Sequence, residues 1–126
     1  MEAKEQVKII VKALEDKKAA DISVLDISRL SIMADYFIIA SGANKNQIGA
    51  MIEEIEEKLY KAGIRPKAIE GSNTSGWVLM DYQDIVIHIF DTESRAFYDL
   101  ERIWGDSRVI KMEELQDNQD NYSEEE

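Results

Sequence analysis

Several residue types that direct a chain towards particular functions are absent or scarce here. The 126 residues include no cysteine and one histidine. The lack of cysteine excludes disulfide bonds, thiolate nucleophiles and thiolate metal ligands, and one histidine with scattered carboxylates does not form a metal-ligand cluster. No apolar run approaches the roughly 20 residues of a membrane span, and the charged N-terminus lacks the apolar core of a signal peptide. The sequence therefore predicts a cytoplasmic protein with no metal, no cofactor and no membrane association.

Positive charge is also scarce. Against 26 acidic residues stand 15 Lys and Arg, which gives a net charge of −11. Seven of the acidic residues and none of the basic ones lie in residues 113–126, so residues 1–112 carry a net charge of −4. A segment as polar as 113–126 cannot bury enough apolar surface to fold, which predicts a single domain over 1–112 and an acidic disordered tail over 113–126. The mildly acidic domain argues against direct nucleic-acid binding, which depends on clustered Lys and Arg, and favours a basic protein partner.

Hydrophobic periodicity predicts an α/β domain with a mixed β-sheet of about five strands flanked by helices. Helices with one apolar stripe are expected over residues 2–18, 44–62 and 93–104. Asn44 and Gln47 should cap the second helix, and Gly63 should end it. Strands are expected over residues 22–26, 35–42, 67–70, 77–81 and 84–90. The segment SRVIKM at 107–112 forms either one more short strand or an extended arm.

The stretch GWVLMDYQDIVIHIF at 76–90 carries the only histidine and has the pattern of a β-hairpin. A two-residue turn at Tyr82 and Gln83 would pair residues 81 with 84, 79 with 86 and 77 with 88. Alternation then places Val78, Met80, Ile85, Ile87 and Ile89 on one face, which should be core, and Trp77, Leu79, Asp81, Asp84, Val86, His88 and Phe90 on the other. That second face is either covered by another helix, with His88 hydrogen-bonded inside, or it is a docking surface with Trp77 and Leu79 partly exposed near its rim.

The helix predicted over 93–104 contributes a second indication of a docking surface. Its apolar stripe would consist of Ala96, Phe97, Leu100, Ile103 and Trp104. Tyr98 would then point away from the stripe, with Arg95 and Arg102 on the same outward face. Tyrosine and arginine are enriched at protein interfaces, so this face is predicted to bind a protein. The alternative is a tolerated surface tyrosine.

The strongest enzymatic alternative is a nucleotidyltransferase that uses magnesium and a nucleotide triphosphate. Ser41-Gly42 before a helix has some likeness to a phosphate-binding turn. Such enzymes, however, hold metal with two carboxylates that alternate on one strand, and the spacing of Asp81 and Asp84 is wrong for this. Their simpler role is turn formation, because Asp accepts hydrogen bonds from its own backbone. No serine stands in a nucleophile-elbow pattern, so no catalytic residue is assigned.

Four segments taken together resemble the Iojap family, also called the ribosomal silencing factor RsfS family. They are DYFIIASG at 35–42, EG at 70–71, WVLMDYQDIVIHIF at 77–90 and RAFYDLERIWGD at 95–106. The resemblance implies an α/β fold related to nucleotidyltransferases but without their catalytic carboxylates. It also implies binding to the large ribosomal subunit through large-subunit ribosomal protein fourteen, which blocks joining of the small subunit and represses translation.

The resemblance also implies where the partner binds. Trp77 and Tyr98 match surface positions of the family through its WxLxD and RxFYxLExxW segments. The partner-binding residues expected are Trp77, Leu79, Asp81, His88, Arg95 and Tyr98. Among them Trp77 and Leu79 would be apolar anchors, and Arg95 would orient the contact by its charge. Family members usually have glycine at the position of Gln83, which changes the preferred turn. A homodimer of the free protein could use the same aromatic residues.

Overall fold

The computed structural model describes residues 1–115, which fold around one six-stranded sheet. The elements in chain order are α1 (Ala3–Asp16), β1 (Ala20–Asp26), β2 (Tyr36–Gly42), α2 (Lys45–Lys61), β3 (Ala68–Glu70), β4 (Trp77–Asp81), β5 (Ile85–Asp91), α3 (Thr92–Tyr98), α4 (Leu100–Ile103) and β6 (Arg108–Ile110). The strand order in the sheet is β3-β4-β5-β2-β1-β6. Strands β2 and β5 are parallel, and the other neighbouring pairs are antiparallel. The predicted α/β class with a mixed sheet is confirmed, and the segment after residue 107 forms the sixth strand.

One face of the sheet, which we call the α1/α2 face, packs against the two long helices in an aliphatic core. Ile38 of β2 and Ile87 of β5 are both 0% exposed and pack with Ile10 of α1 and Ile55 of α2. These residues belong to the stripes and alternations that the sequence predicts. Burial of apolar area on this scale is the main contribution to the stability of a domain.

The ends of α2 are set by the residues that the sequence indicates. Asn44 Oδ1 accepts a hydrogen bond of 2.8 Å from the Gln47 backbone N–H, as an N-cap does. Gln47 Oε1 in turn accepts one of 2.6 Å from the Ala43 N–H, one residue before the N-cap. Gly63 follows the helix with a φ of +82°, the left-handed conformation that ends helices and favours glycine.

The opposite face, which we call the α3/α4 face, is covered only in part. A second core cluster lies here and includes Leu25, Ile27, Ala34, Ile39, Phe90 and Leu100. The segment 27–34 and the two short helices α3 and α4 supply its cover. Residues 1–115 leave the sheet accessible over β4 and the first half of β5, and the candidate site lies there.

The β4–β5 hairpin has the predicted faces, but the predicted register is wrong. The Cα partners are 77–90, 79–88 and 81–86. The loop covers residues 82–84: the Tyr82 N–H donates to the Ile85 carbonyl at 2.8 Å, whereas the Asp84 carbonyl accepts from Asp35 and Tyr36 at the start of β2, at 2.8 and 3.1 Å. Each pairing therefore moves by two residues. Because this shift is even, every side chain keeps the face that alternation predicts.

The hairpin loop places a non-glycine residue in the left-handed region. Gln83 has a φ of +78°, and its N–H donates to Asp81 Oδ1 at 2.8 Å. This hydrogen bond is the turn chemistry considered for Asp81. Glycine adopts this left-handed conformation at no steric cost, so it would suit this position better than glutamine does.

The prediction of one continuous helix over 93–104 is wrong. Asp99 has a φ of +47° and separates α3 from α4. The break reorients the stripe: Leu100 remains buried, whereas Phe97 and Ile103 are 81% and 64% exposed, and Ala96 is exposed as well.

The two edges of the sheet and the end of the described chain complete the fold. The edge strands β3 and β6 have three residues each. Residues 112–115 form one helical turn, and Leu115 is 6% exposed in the core of the α1/α2 face. The described structure thus continues three residues beyond the predicted domain boundary, and the rest of the predicted tail, 116–126, lies outside the described residues. None of the helices in the described part of the chain has the length and apolar content that crossing a bilayer requires.

Candidate functional site

Four aromatic rings on the α3/α4 face, those of Trp77, His88, Phe90 and Tyr98, form a chain of contacts that we call the aromatic cluster. The ring centroids of Trp77 lie 5.1 Å from those of Phe90 and 4.5 Å from those of Tyr98. Phe97 meets the Tyr98 ring edge-on at 5.1 Å. The exposed fraction of the residue rises from 1% for Phe90 to 40% for Tyr98, and reaches 81% for the neighbouring Phe97. The aromatic cluster therefore extends from the core to the surface.

Beside the aromatic cluster lies a depression of about 260 Å³ that we call the cleft. It is lined by Ser31, Met33, Ala34, Phe37, Lys67, Leu79, Asp81, Gln83, Val86, His88 and Trp104. Most of its lining is apolar, and the charged residues, Lys67 and Asp81, are of opposite sign. His88 lines the cleft and also belongs to the aromatic cluster, so the two features form one continuous surface.

His88 is held by its neighbours and is neutral at physiological pH. It is 4% exposed, and its Nδ1 accepts a hydrogen bond of 3.1 Å from Trp77 Nε1. The ring of Phe37 lies 4.7 Å away at 64°. Burial lowers the pKa of His88 to about 4, because the charged imidazolium loses its hydration. The interpretation of His88 as a hydrogen-bonded histidine inside the second face is confirmed.

Arg95 does not point outward, so that prediction is wrong. Its side chain is 13% exposed and bonds Glu101 through Nε–Oε1 and Nη2–Oε2 distances of 3.0 and 3.1 Å. Its Nη1 donates to the buried Ser41 Oγ at 2.9 Å. Arg95 therefore fastens α3 to α4 and to the end of β2. The outward arginine is Arg102, 80% exposed, which pairs with Asp99 at 3.2 Å.

The structure brings five of the six expected partner-binding residues to one surface. Trp77 and Tyr98 lie in the aromatic cluster, Leu79 and Asp81 line the cleft, and His88 joins the two. Trp77 and Leu79 are half-buried, which is the partial exposure that the sequence predicts. Arg95 lies beneath this surface.

Sequence reasoning missed the segment between β1 and β2. Leu30, Ile32 and Met33 are 45%, 102% and 76% exposed, and Met33 lines the cleft. These residues belong to no strand or helix, so periodicity gives no signal for them. The available sign of an exposed apolar surface was the presence of three apolar residues in the linker segment LSIM at 30–33.

The carboxylates considered for magnesium do not converge with others. Asp81 Oδ1 accepts from the Gln83 N–H and so takes part in the turn. Within residues 1–115, no three His, Asp or Glu side chains are close enough together to hold a metal ion.

Comparison with known proteins gives one consistent family. The sequence profile described as "Ribosomal silencing factor during starvation", RsfS, matches residues 1–126. The ribosomal silencing factor RsfS of Bacillus subtilis is 38% identical over 113 residues, which are 90% of this chain and 96% of that protein. A mouse protein, "Mitochondrial assembly of ribosomal large subunit protein 1", is 31% identical over 105 residues, 81% of this chain and 46% of its own length. The crystal structure of protein CV0518 from Chromobacterium violaceum superposes with a TM-score of 0.80 at 37% identity and covers 83% of this chain and 88% of that one.

Proposed function

Because the chain belongs to the RsfS family of ribosomal silencing factors, we propose that it binds large-subunit ribosomal protein fourteen on the large ribosomal subunit. By occupying that surface it blocks joining of the small subunit and so represses translation in the cytoplasm. Silencing of ribosomes is a regulatory function, and it follows from membership of the family. The partner and the steric mechanism are the proposal.

The observation that carries the proposal is the continuity of the aromatic cluster with the cleft. Single exposed apolar side chains are common on any surface, but a contiguous patch with a polar rim indicates an interaction site. Here Phe97 and Tyr98 are exposed, and Trp77 and Leu79 are half-buried behind them. Large aromatic side chains in such positions account for much of the binding energy of protein interfaces.

Charge supports a protein partner of basic character. Residues 1–112 carry a net charge of −4, which favours encounter with a positively charged surface and disfavours a nucleic-acid backbone. The name of the mouse relative refers to the ribosomal large subunit, which agrees with a large-subunit partner for this chain.

The proposed contact residues have different tasks. Trp77, Tyr98 and Leu79 provide apolar contact area, and Asp81 and His88 provide polar groups at the cleft. Arg95 acts as a positioning residue, because its bonds to Glu101 and Ser41 fix the helix that presents Tyr98. No step of this mechanism requires covalent chemistry.

Co-sedimentation with separated ribosomal subunits tests the proposal. The wild-type chain should bind the large subunit alone, and Tyr98→Ala should weaken binding roughly thirty- to a thousand-fold, the effect of removing a central aromatic residue. Phe97→Ala should weaken it less. Tyr60→Ala is the matched control, because Tyr60 is 64% exposed on α2, over the opposite face. Trp77→Ala is a poorer choice, since the indole also packs on Phe90 and bonds His88.

A subunit-joining assay completes the test. Wild-type protein added to large subunits should reduce the yield of joined ribosomes, and Tyr98→Ala should not. Normal binding by both Tyr98→Ala and Phe97→Ala would contradict the location of the interface. Absence of wild-type binding to either subunit would contradict the function, and calorimetric binding of a nucleotide triphosphate with magnesium would then favour the enzymatic alternative.

A further inference from the structure

The imidazole of His88, a residue that lines the cleft, has one polar atom without a hydrogen bond to any of the described residues. Its Nε2 is buried and has no partner among residues 1–115, although the side chain is only 4% exposed. Buried polar side-chain atoms are nearly always paired in folded proteins. An unpaired buried atom in a residue that lines a largely apolar cleft therefore requires an explanation.

The hydrogen bond on the other side of the ring fixes where the proton lies. The indole Nε1–H of Trp77 can only donate, so Nδ1 of His88 accepts at 3.1 Å. Because the neutral imidazole carries a single N–H, the proton is on Nε2. The unpaired atom is thus a hydrogen-bond donor.

The hydrogen bond to Trp77 and the strand register show what surrounds this donor. Along the hairpin, Trp77 pairs with Phe90 on one side of His88, and Asp81 pairs with Val86 on the other. Nδ1 faces Trp77. Nε2 is the other ring nitrogen and so points away from this hydrogen bond, and both His88 and Val86 line the cleft.

We propose that, on binding, exposed side chains of the cleft such as Met33 move aside, and His88 Nε2–H donates a hydrogen bond to one neutral acceptor oxygen, a peptide carbonyl or side-chain amide oxygen, that the ribosomal partner places in the cleft. This inference rests on the proposed function and makes His88 a specificity-determining residue of its interface. The acceptor is neutral because Lys67 and Asp81, the charged residues at the cleft, are opposite in sign, and because an ion is strongly disfavoured among apolar side chains. A segment without an acceptor would leave the donor unpaired, and the cleft would reject it.

Two variants separate the donor from the rest of the side chain. His88→Asn keeps an acceptor at the position of Nδ1 for Trp77 but has no donor at the position of Nε2. His88→Gln reaches one carbon farther and places an amide N–H near Nε2. In co-sedimentation with large subunits, His88→Asn should lose about ten- to a hundred-fold in affinity, and His88→Gln should retain most of it. Circular dichroism at the working temperature confirms that both variants are folded.

The single histidine allows direct observation of the proton by nitrogen-15 NMR. In the free chain, histidine-labelled protein should show the neutral form protonated at Nε2. Addition of isolated large-subunit ribosomal protein fourteen should produce a slowly exchanging Nε2 proton signal at a new position. If that signal instead develops as the free chain is concentrated alone, the acceptor comes from a second copy and the proposal is wrong.

The outcomes distinguish this inference from the function on which it rests. Wild-type affinity in His88→Asn, or protonation at Nδ1 in the free chain, overturns the role of His88 and leaves the proposed function standing. Failure of the wild-type chain to bind the large subunit overturns both.

Discussion

The two faces of the sheet are built from alternate residues of the same strands, yet they differ in composition and in cover. On the α1/α2 face, aliphatic side chains such as Ile38 and Ile87 are 0% exposed. On the α3/α4 face, Trp77 and Leu79 remain half-buried, and His88 has a donor without a partner in the part of the chain that the structure describes. The difference indicates that the α1/α2 face supplies most of the stability, and the α3/α4 face is the one where we propose that the partner binds.

Helix length explains the unequal cover. Helices α1 and α2 have 14 and 17 residues, which at about 1.5 Å per residue is enough to cross several strands. Helices α3 and α4 have seven and four residues. Together with the segment 27–34 they cover only part of the face, and the cleft is what they leave open.

The largest expected effect is a loss of folding stability at acidic pH, which comes from His88 on the α3/α4 face. Burial lowers the pKa of His88 to about 4, below the ordinary value of about 6.5. Between these two pH values the unfolded chain binds a proton that the folded chain does not. Stability is therefore complete above pH 6.5 and falls as the pH drops towards 4, by about 3 kcal/mol in total. Urea unfolding across this range should show the loss, and His88→Gln should remove it.

A parallel loss in wild type and His88→Gln would assign the pH dependence to other groups. The carboxyl of Asp26 is separable, because its pKa is lowered from 3.8 by hydrogen bonds from Ser28 that outweigh desolvation by burial. Its contribution is lost only at still lower pH.

The second effect compares equal deletions on the two faces. Val78 on the α1/α2 face is 1% exposed, whereas Val86 lines the cleft and is half-buried. Val78→Ala should cost about 2–3 kcal/mol, because it removes buried methyl groups and leaves a cavity. Val86→Ala should cost about 1 kcal/mol. Equal losses in urea unfolding would contradict the distinction between the two faces.

The smallest expected effect comes from Arg95, which links α3 to α4 and to β2 beneath the aromatic cluster. Arg95→Lys keeps the charge but loses the two-pronged contact with Glu101 and the bond to Ser41. We expect a loss of about 1–2 kcal/mol in the free energy of unfolding. Binding to the large subunit should weaken as well, since Tyr98 would be held less firmly. A double-mutant cycle with Glu101→Gln should give a coupling energy that the exposed pair of Arg102 and Asp99 does not.

The faces of the strands were predictable from the sequence because side-chain alternation survives an error in register. Trp77, Leu79 and His88 share a face whether Asp81 pairs with Asp84 or with Val86. The register itself depends on which neighbour takes the Asp84 carbonyl, and β2 takes it. A hydrogen bond between segments that are distant in the chain cannot be predicted from the local sequence pattern.

The orientation of Arg95 and the exposure of Phe97 could not be predicted for a related reason. Both depend on the left-handed conformation of Asp99, which divides a continuous helical pattern in two. Asp tolerates this conformation better than most residues, but it also occurs within helices, so the letter alone does not decide. The exposure of Ile32 and Met33 could not be predicted because they lie in a segment without periodicity.

The short strands at both margins of the sheet bear on how this protein avoids unwanted association. Each offers only three residues of backbone, a poor template for the strand-to-strand addition that drives β-augmentation and amyloid growth. Lys67 and Glu70 at one margin, and Arg108 and Lys111 at the other, add charges that oppose such pairing. A binder must therefore read side chains across a surface rather than extend the ladder of hydrogen bonds. A protein with an exposed aromatic patch can thus remain selective in a crowded cell.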